Sequence, residues 1–336
     1  FGEKTMVAAL AGEKVADLLL LNDQDLTYTK IRFDERSINT LKNHLGKIKD
    51  TLTRALCWSA AWDMLRDAEI SATDFIDIAL AGLPGENDIA TVTIIANQLV
   101  TAVELYSAPF KRDSARLKVG NAYEKMLNVA KPGSDHQLQF ARNLTSFASS
   151  AEHNDLIKVL LDGKLAGLKV DADLRWTFVI ALAERGLMDQ QALAAELLKD
   201  NTLTGQLSHA TALAALPTPE AKAQTWKSIT TEEISTSQRE AKIAGFMRAL
   251  HRPLLASYVD PYFDLLLETW GKKSYEVASK FVMGMYPTFI TTQATLDKTI
   301  TWLNTTGKDG QAGLVRLVSE GRDALERALK VQAKDK

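Results

Sequence analysis

From about residue 37 to its end, the chain places apolar residues at the spacing of amphipathic helices. Phe263, Leu266, Leu267 and Trp270 follow the i, i+3, i+4, i+7 pattern that gives a helix one buried face. The same spacing returns at Val277, Phe281 and Met285, and again at Leu314, Leu317, Val318, Leu325 and Leu329. About fifteen such segments, joined by short connections, predict a mainly α fold with antiparallel neighbouring helices.

Residues typical of helix starts precede several of these segments. Ser71 is followed three residues later by Asp74, which is typical of a capping box, and Thr218 precedes Pro219 as a cap precedes an N1 proline. No repeat consensus is visible, so the rhythm of the segments favours a superhelical array of helix pairs of the HEAT or armadillo kind. A compact all-α domain of unusual size is the competing interpretation.

Residues 1–36 have a different pattern of short apolar or alternating stretches separated by turn residues. In the last stretch, Tyr28, Lys30 and Arg32 would face one way and Ile31 and Phe33 the other. This alternation predicts a short β segment, the terminal strands of a truncated β-sandwich domain, before an α-helical domain over residues 37–336. Such strands need a partner sheet, so we expect the sequence to be a piece of a longer chain.

Composition excludes several classes of protein. The chain has 336 residues, 46% hydrophobic and 24% charged, with 40 Lys plus Arg against 42 Asp plus Glu. This balance lacks the basic excess of a nucleic-acid-binding protein. Apolar runs such as residues 178–183 are much shorter than the roughly 18 residues of a membrane span. The single cysteine, Cys57, excludes an intramolecular disulfide, and a reducing, cytoplasmic compartment is expected.

The chain lacks the familiar motifs of catalysis and metal binding. Its five histidines are too far apart for H-E-x-x-H, the zinc motif that needs two imidazoles at i and i+4. They are His44, His136, His153, His209 and His251. Asp23 and Asp25 fit a turn, Asp171 and Asp173 fit a helix start, and Trp58 with Trp62 at i, i+4 fits a core. We therefore predict no catalytic residue, metal ligand or cofactor in this chain.

Three arginines are the candidate binding residues. Arg248 and Arg252 share a helix face, and Arg175 precedes Trp176 at the start of an apolar helix. A guanidinium binds a carboxylate through paired hydrogen bonds, so each is a candidate for binding a peptide carboxylate. Ordinary intramolecular ion pairs are the alternative role for any of them.

Residues 18–37, LLLLNDQDLTYTKIRFDERS, resemble the junction between β-sandwich and C-terminal helical domain in aminopeptidase N-type zinc peptidases. The family's features there correspond to Asn22, Tyr28, Ile31, Phe33 and Asp34. The bacterial branch of the family is similar also in four later segments. These are RALCWSAAWDMLRDAEISATDFIDIAL, DADLRWTFVIALAERG, ELLKDNTLTGQLSHATALAALPTPEAKAQTWKSI and EGRDALERALKVQAKD.

The resemblance implies a noncatalytic C-terminal domain that closes over a peptidase domain, encloses the active-site chamber and gates or positions peptides. It implies that zinc and the catalytic residues belong to an absent upstream domain. The expected partners are the peptidase and β-sandwich domains of the parent chain and short peptides, with no nucleic acid and no membrane. A free-standing helical scaffold that binds peptides or proteins is the alternative, and an independent all-α enzyme has the least support.

Overall fold

The computed structural model describes residues 5–336, and 71% of these residues are helical. Among the described residues, sixteen α-helices have ten or more residues and a seventeenth, α13, has four. The first nine are α1 (Glu35–His44), α2 (Thr51–Arg66), α3 (Ala72–Gly82), α4 (Ile89–Thr101), α5 (Arg112–Val129), α6 (Asp135–Phe147), α7 (Ala151–Leu161), α8 (Ala172–Glu184) and α9 (Gln190–Lys199). The others are α10 (Leu203–Ala214), α11 (Pro219–Thr231), α12 (Thr236–Phe246), α13 (Arg252–Leu255), α14 (Val259–Lys272), α15 (Tyr275–Gly284), α16 (Gln293–Asn304) and α17 (Ala312–Lys334).

The predicted β segment is wrong for residues 5–36, which contain no strand, and residues 1–4 lie outside the described residues. The regular structure between residue 5 and the start of α1 at Glu35 consists of two 3-10 turns, Ala8–Leu10 and Asp23–Asp25. A strand needs a neighbour to satisfy its backbone groups, and no other strand is present in the described part. The alternation still predicted correctly which side chains are buried, because Ile31 and Phe33 pack against the helices while Tyr28 is exposed. The division into two domains stays a prediction.

The helix starts confirm the predicted caps. The Ser71 side chain accepts a bond from the Asp74 N–H, and the Asp74 side chain accepts one from the Ser71 N–H, which completes a capping box. Thr218 caps α11 with Pro219 in the first turn, and Asp171 caps α8. These caps satisfy N–H groups that lack a partner within the helix, and so fix where each helix begins.

The helices form two layers. In the first layer α4, α6, α8, α10, α12, α15 and α17 contact one another in succession. The second layer consists of α5, α7, α9, α11 and α14, each packed beside the next first-layer helix along the chain. This arrangement of helix pairs confirms the predicted all-α array.

The first layer closes on itself. Helix α17 returns to contact α2, α3 and the π-helical segment Ala102–Tyr106, which continues α4. There the Gln332 side chain donates a 2.6 Å hydrogen bond to the Leu105 carbonyl. A π segment shifts the helical hydrogen-bond pattern, so side chains from elsewhere in the chain can satisfy carbonyls at its end. The last helix thus completes a ring with the fourth.

Cys57 lies in the apolar core, and the same core confirms the predicted packing role of Trp58 and Trp62. Cys57 is completely buried, and burial raises the pKa of its thiol to about 12. Trp58 is buried in the same core, and Trp62 packs against Phe75 with ring centroids 5.3 Å apart. Both tryptophans therefore contribute to packing.

One helical stretch, Ile89–Tyr106, is long and apolar enough to cross a membrane by length and composition alone, with a mean hydropathy of 1.4. Val92, Ile95 and Leu99 are buried in the largest core cluster. It also carries Glu104, a buried carboxylate that pairs with arginines. We interpret this stretch as a core helix of the array.

Candidate anion-binding site

Five arginines gather where the C-terminal ends of α4, α6 and α8 approach the segment after α12. This arginine cluster comprises Arg112, Arg116, Arg185, Arg248 and Arg252. Its members are close enough to repel one another: burial lowers the pKa of Arg185 most, and the positive charges of Arg116 and Arg248 lower it further. Apart from the exposed Asp113, two carboxylates face these five cations, Glu104 and Glu184. The cluster therefore carries excess positive charge.

Glu104 is the centre of the cluster. It is 4% exposed and lies in the π-helical segment Ala102–Tyr106. Arg116 donates to both of its carboxylate oxygens, Nε at 2.8 Å and Nη2 at 2.9 Å, and Arg252 Nη2 donates to Oε2 at 3.0 Å. Paired guanidinium bonds of this kind are strong and hold both partners in one geometry. Arg116 and Arg252, distant in sequence, are thereby fixed beside one another.

Arg185 joins the ends of two helices to the cluster. Its Nη2 donates 2.8 Å bonds to the carbonyls of Thr145 and Ala148 at the end of α6, and its Nη1 donates a 2.7 Å bond to the Ala181 carbonyl of α8. Carbonyls at helix C-termini lack partners within the helix and carry partial negative charge, so a cation is favoured there.

Arg112 is the least compensated member. It is 8% exposed, and its Nε and Nη2 have no hydrogen-bond partner within residues 5–336. Burial first, and then the charge of Arg252, lower the pKa of its guanidinium to about 10. A buried donor without an acceptor is costly, so the surroundings of Arg112 favour an added negative charge.

Two cavities adjoin the cluster. One of about 530 Å³ is lined in part by Arg116, Asn154 and Arg185. The other, of about 370 Å³, is lined by residues from α4, α6 and α8 together with Arg248. Both volumes fall in the ordinary range of ligand sites, roughly 300 to 1,000 Å³.

The cavity of about 370 Å³ is rich in unused donors. Arg142 Nε, Asn143 Nδ2 and Arg248 Nε are buried and lack partners within residues 5–336. Glu184 contributes a carboxylate to the lining of this cavity, and its Oε2 lies 3.8 Å from Arg185 Nη1. Unpaired donors beside surplus positive charge suit an anion with several acceptor oxygens, such as a carboxylate.

The structure separates the three predicted arginines. Arg175 is bound bidentately to Glu196, at 2.7 and 2.9 Å, and lies outside the cluster. Arg252 belongs to the cluster, but its guanidinium already contacts Glu104 and the Phe289 carbonyl. Arg248 lines a cavity and forms no salt bridge in the described part of the chain. Of the three, Arg248 is the residue free to meet a ligand, and peptide binding by any of them stays a prediction.

Sequence reasoning missed Arg112, Arg116 and Arg185, and also Glu104, the carboxylate that Arg116 binds. One signal was available at Glu104, a lone carboxylate within the apolar stretch LVTAVELY, residues 99–106. A charge in such a position is normally paired when it is buried. Its partners could not be identified, because Arg252 is 148 positions away and nothing local relates the two.

The histidines form no common site. His251 Nε2 lies 2.7 Å from the Glu184 carbonyl, and His136 Nε2 lies 2.8 Å from the Glu86 carbonyl. Within residues 5–336, no group of three or more His, Cys, Asp or Glu side chains is arranged to hold a metal ion.

Comparison with known proteins gives two consistent matches. Residues 18–327 match the ERAP1-like C-terminal domain family. The chain is also 42% identical, over 337 residues, to Aminopeptidase N of Streptomyces lividans. That match covers 99% of this chain and 39% of the relative, so the chain spans well under half of the relative's length.

Proposed function

Because this chain belongs to the ERAP1-like C-terminal domain family, as a C-terminal domain of an aminopeptidase N, we propose that it is the noncatalytic, substrate-positioning part of a larger zinc aminopeptidase. The parent enzyme would remove N-terminal residues from peptides. Its zinc ion and catalytic residues would belong to the part of the relative's length that this chain does not span, since the match covers 39% of the relative.

The observation that carries this proposal is the surplus positive charge of the arginine cluster beside two cavities. A peptide at neutral pH ends in an ionised carboxylate, whose pKa in unfolded peptides is about 3.3 to 3.7. Arg248 and the unused donors Arg142 Nε and Asn143 Nδ2 would bind that carboxylate. The N-terminus of the same peptide would then point away, toward the catalytic domain.

The closed ring supports the proposed gating role. Because α17 returns to α2 and α3, the array is braced at both ends and would act as one wall of the chamber. A braced wall would favour entry of short, flexible peptides over folded proteins. The alternative of a free-standing scaffold has less support, because the relative has other parts along its length.

Isothermal titration with the chain tests peptide binding directly. We expect a short peptide with a free C-terminal carboxylate to bind about tenfold more tightly than the same peptide as a C-terminal amide. Arg248→Gln should remove the difference, while Arg316→Gln, an exposed arginine of α17 paired with Glu320, should preserve it. Equal affinity for both peptides would refute the role of the cluster.

A further inference from the structure

A separate cavity of about 170 Å³ lies between α9, α10, α11 and α12. It shares no lining residue with the two cavities beside the arginine cluster. Its volume is close to that of an engineered apolar cavity of about 150 Å³ that binds benzene. The cavity therefore has room for a ligand of roughly one six-membered ring.

The lining is divided between apolar and polar groups. Leu213 and Ala214 contribute apolar surface from α10. His209, Thr225 and Lys242 contribute an imidazole, a hydroxyl and an ammonium from three different helices. Such a division suits a ligand that has one apolar end and one polar end.

The imidazole of His209 is held in place but has unused hydrogen-bonding capacity. Its ring packs edge-on against Trp176 at 6.4 Å, and the Trp176 indole is in turn fixed by a 2.9 Å bond from Nε1 to Asp200. His209 Nε2 is buried without a partner in the described residues. Burial lowers the pKa of His209, so the ring is neutral at pH 7 and can donate one hydrogen bond.

Lys242 supplies the charge. Two lysines farther along the chain have carboxylate partners, Lys273 with Glu233 and Lys280 with Glu240. Lys242 forms no salt bridge within residues 5–336. The cavity therefore presents one positive charge and no carboxylate in its lining, which favours an anion over a cation.

We propose that this cavity binds a small monocarboxylate. The carboxylate would pair with the Lys242 ammonium and accept a hydrogen bond from His209 or Thr225, and the apolar part would lie on Leu213 and Ala214. The site goes beyond the proposed function and does not depend on it, because its residues are separate from the arginine cluster.

Nuclear magnetic resonance of the chain tests the proposal, with the His209 Cε1–H resonance as the probe. Benzoate should shift this resonance saturably, with a dissociation constant of about 1 mM, while sodium chloride at equal ionic strength should not. Benzamide, which has the same shape without the charge, should bind about tenfold more weakly. Acetate should bind more weakly than benzoate, since it buries less of the apolar surface of Leu213 and Ala214.

Two variants complete the experiment. Lys242→Gln should weaken benzoate binding about tenfold, whereas Lys227→Gln, at an exposed position on α11, should leave it unchanged. Ala210→Leu, which places bulk into the lining, should abolish binding; its thermal unfolding is measured alongside to show that the fold is retained. A shift that never saturates, binding unaffected by Lys242→Gln, or binding of phosphate but not of benzoate would overturn the proposal.

Discussion

The carboxylate of Asp335 accepts hydrogen bonds from both the backbone N–H and the hydroxyl of Thr73, at 2.9 and 2.7 Å. Its second oxygen accepts a 3.0 Å bond from the Ala108 N–H. Asp335 follows α17, whereas Thr73 lies in the first turn of α3, so one buried side chain joins the last helix to the start of the array. A carboxylate at a helix N-terminus is also favoured by the helix dipole.

Asp335→Ala should destabilise the protein by about 2 to 4 kcal/mol, because it leaves the buried Ala108 N–H without its acceptor and removes two bonds to Thr73. Asp335 is 1% exposed, so water cannot readily replace the carboxylate. Urea unfolding measures the change, with Asp309→Ala at an exposed position as the control, expected within about 0.5 kcal/mol of the parent chain. Equal effects of the two substitutions would show that the ring is not closed through Asp335.

Glu104→Gln should be more damaging, because it leaves Arg252 without its carboxylate partner and leaves the buried Arg116 paired only with the exposed Asp113. Breaking one partner of a buried ion pair costs about 3 to 5 kcal/mol. Glu268→Gln is the matched control, since Glu268 forms an exposed i, i+4 pair with Lys272, worth about 0.3 to 0.5 kcal/mol. Chemical denaturation of both variants compares them, and a loss below about 1 kcal/mol for Glu104→Gln would contradict the central role of this carboxylate.

The free energy of unfolding should change with pH in the alkaline range because of Lys222. It is fully buried, and its ammonium donates to the Ala214, Gly245 and Phe246 carbonyls at the ends of α10 and α12. Burial first, and then the charge of Arg248, lower its pKa from 10.5 to about 7. Between these values the unfolded chain binds a proton that the folded chain releases, so the contribution of Lys222 to the free energy of unfolding rises with pH.

The test compares the parent chain with Lys222→Met from pH 7 to pH 10. We expect the free energy of unfolding of the parent chain to rise by up to about 1.4 kcal/mol per pH unit relative to that of the variant. Lys227→Met, at an exposed position, should follow the parent at every pH. A constant difference between the parent and Lys222→Met across this interval would mean that Lys222 does not titrate there.

Cys57 should resist thiol reagents in the native protein. Its thiol is completely buried and its pKa is raised to about 12, so the reactive thiolate is scarce at neutral pH. Labelling with a coloured disulfide reagent should be slow in buffer and become rapid in denaturing urea. Rapid labelling under native conditions would show that the core around Trp58 opens.

Local sequence was sufficient for the helices and their caps, because spacing and capping are set by neighbours within a few residues, as at Ser71 and Asp74. It was not sufficient for residues 5–36, where the predicted strands are absent. Alternation at Ile31 and Phe33 correctly indicated which side is buried, but a strand also depends on a partner. The local sequence therefore shows which side chains are buried, but it does not show whether a partner strand is present.

The candidate site was only partly predictable for a related reason. Arg248 and Arg252 attracted attention as basic neighbours on one face, but their roles differ because Glu104 lies beside Arg252. That contact depends on the closure of the ring. The sequence around Arg175 did not distinguish it from Arg248 and Arg252. In the structure Arg175 is paired with Glu196 and lies outside the arginine cluster.

Kinetics of the full-length enzyme carrying Arg248→Gln test the central claim most directly. KM for a peptide with a free C-terminus should rise about tenfold with kcat little changed, while KM for its C-terminal amide and for an aminoacyl chromogenic substrate should stay constant. Arg316→Gln should behave as the parent enzyme. Equal losses on the peptide, its amide and the chromogenic substrate, or no loss on any of them, would contradict the proposal that this domain positions peptides by their C-terminal carboxylate.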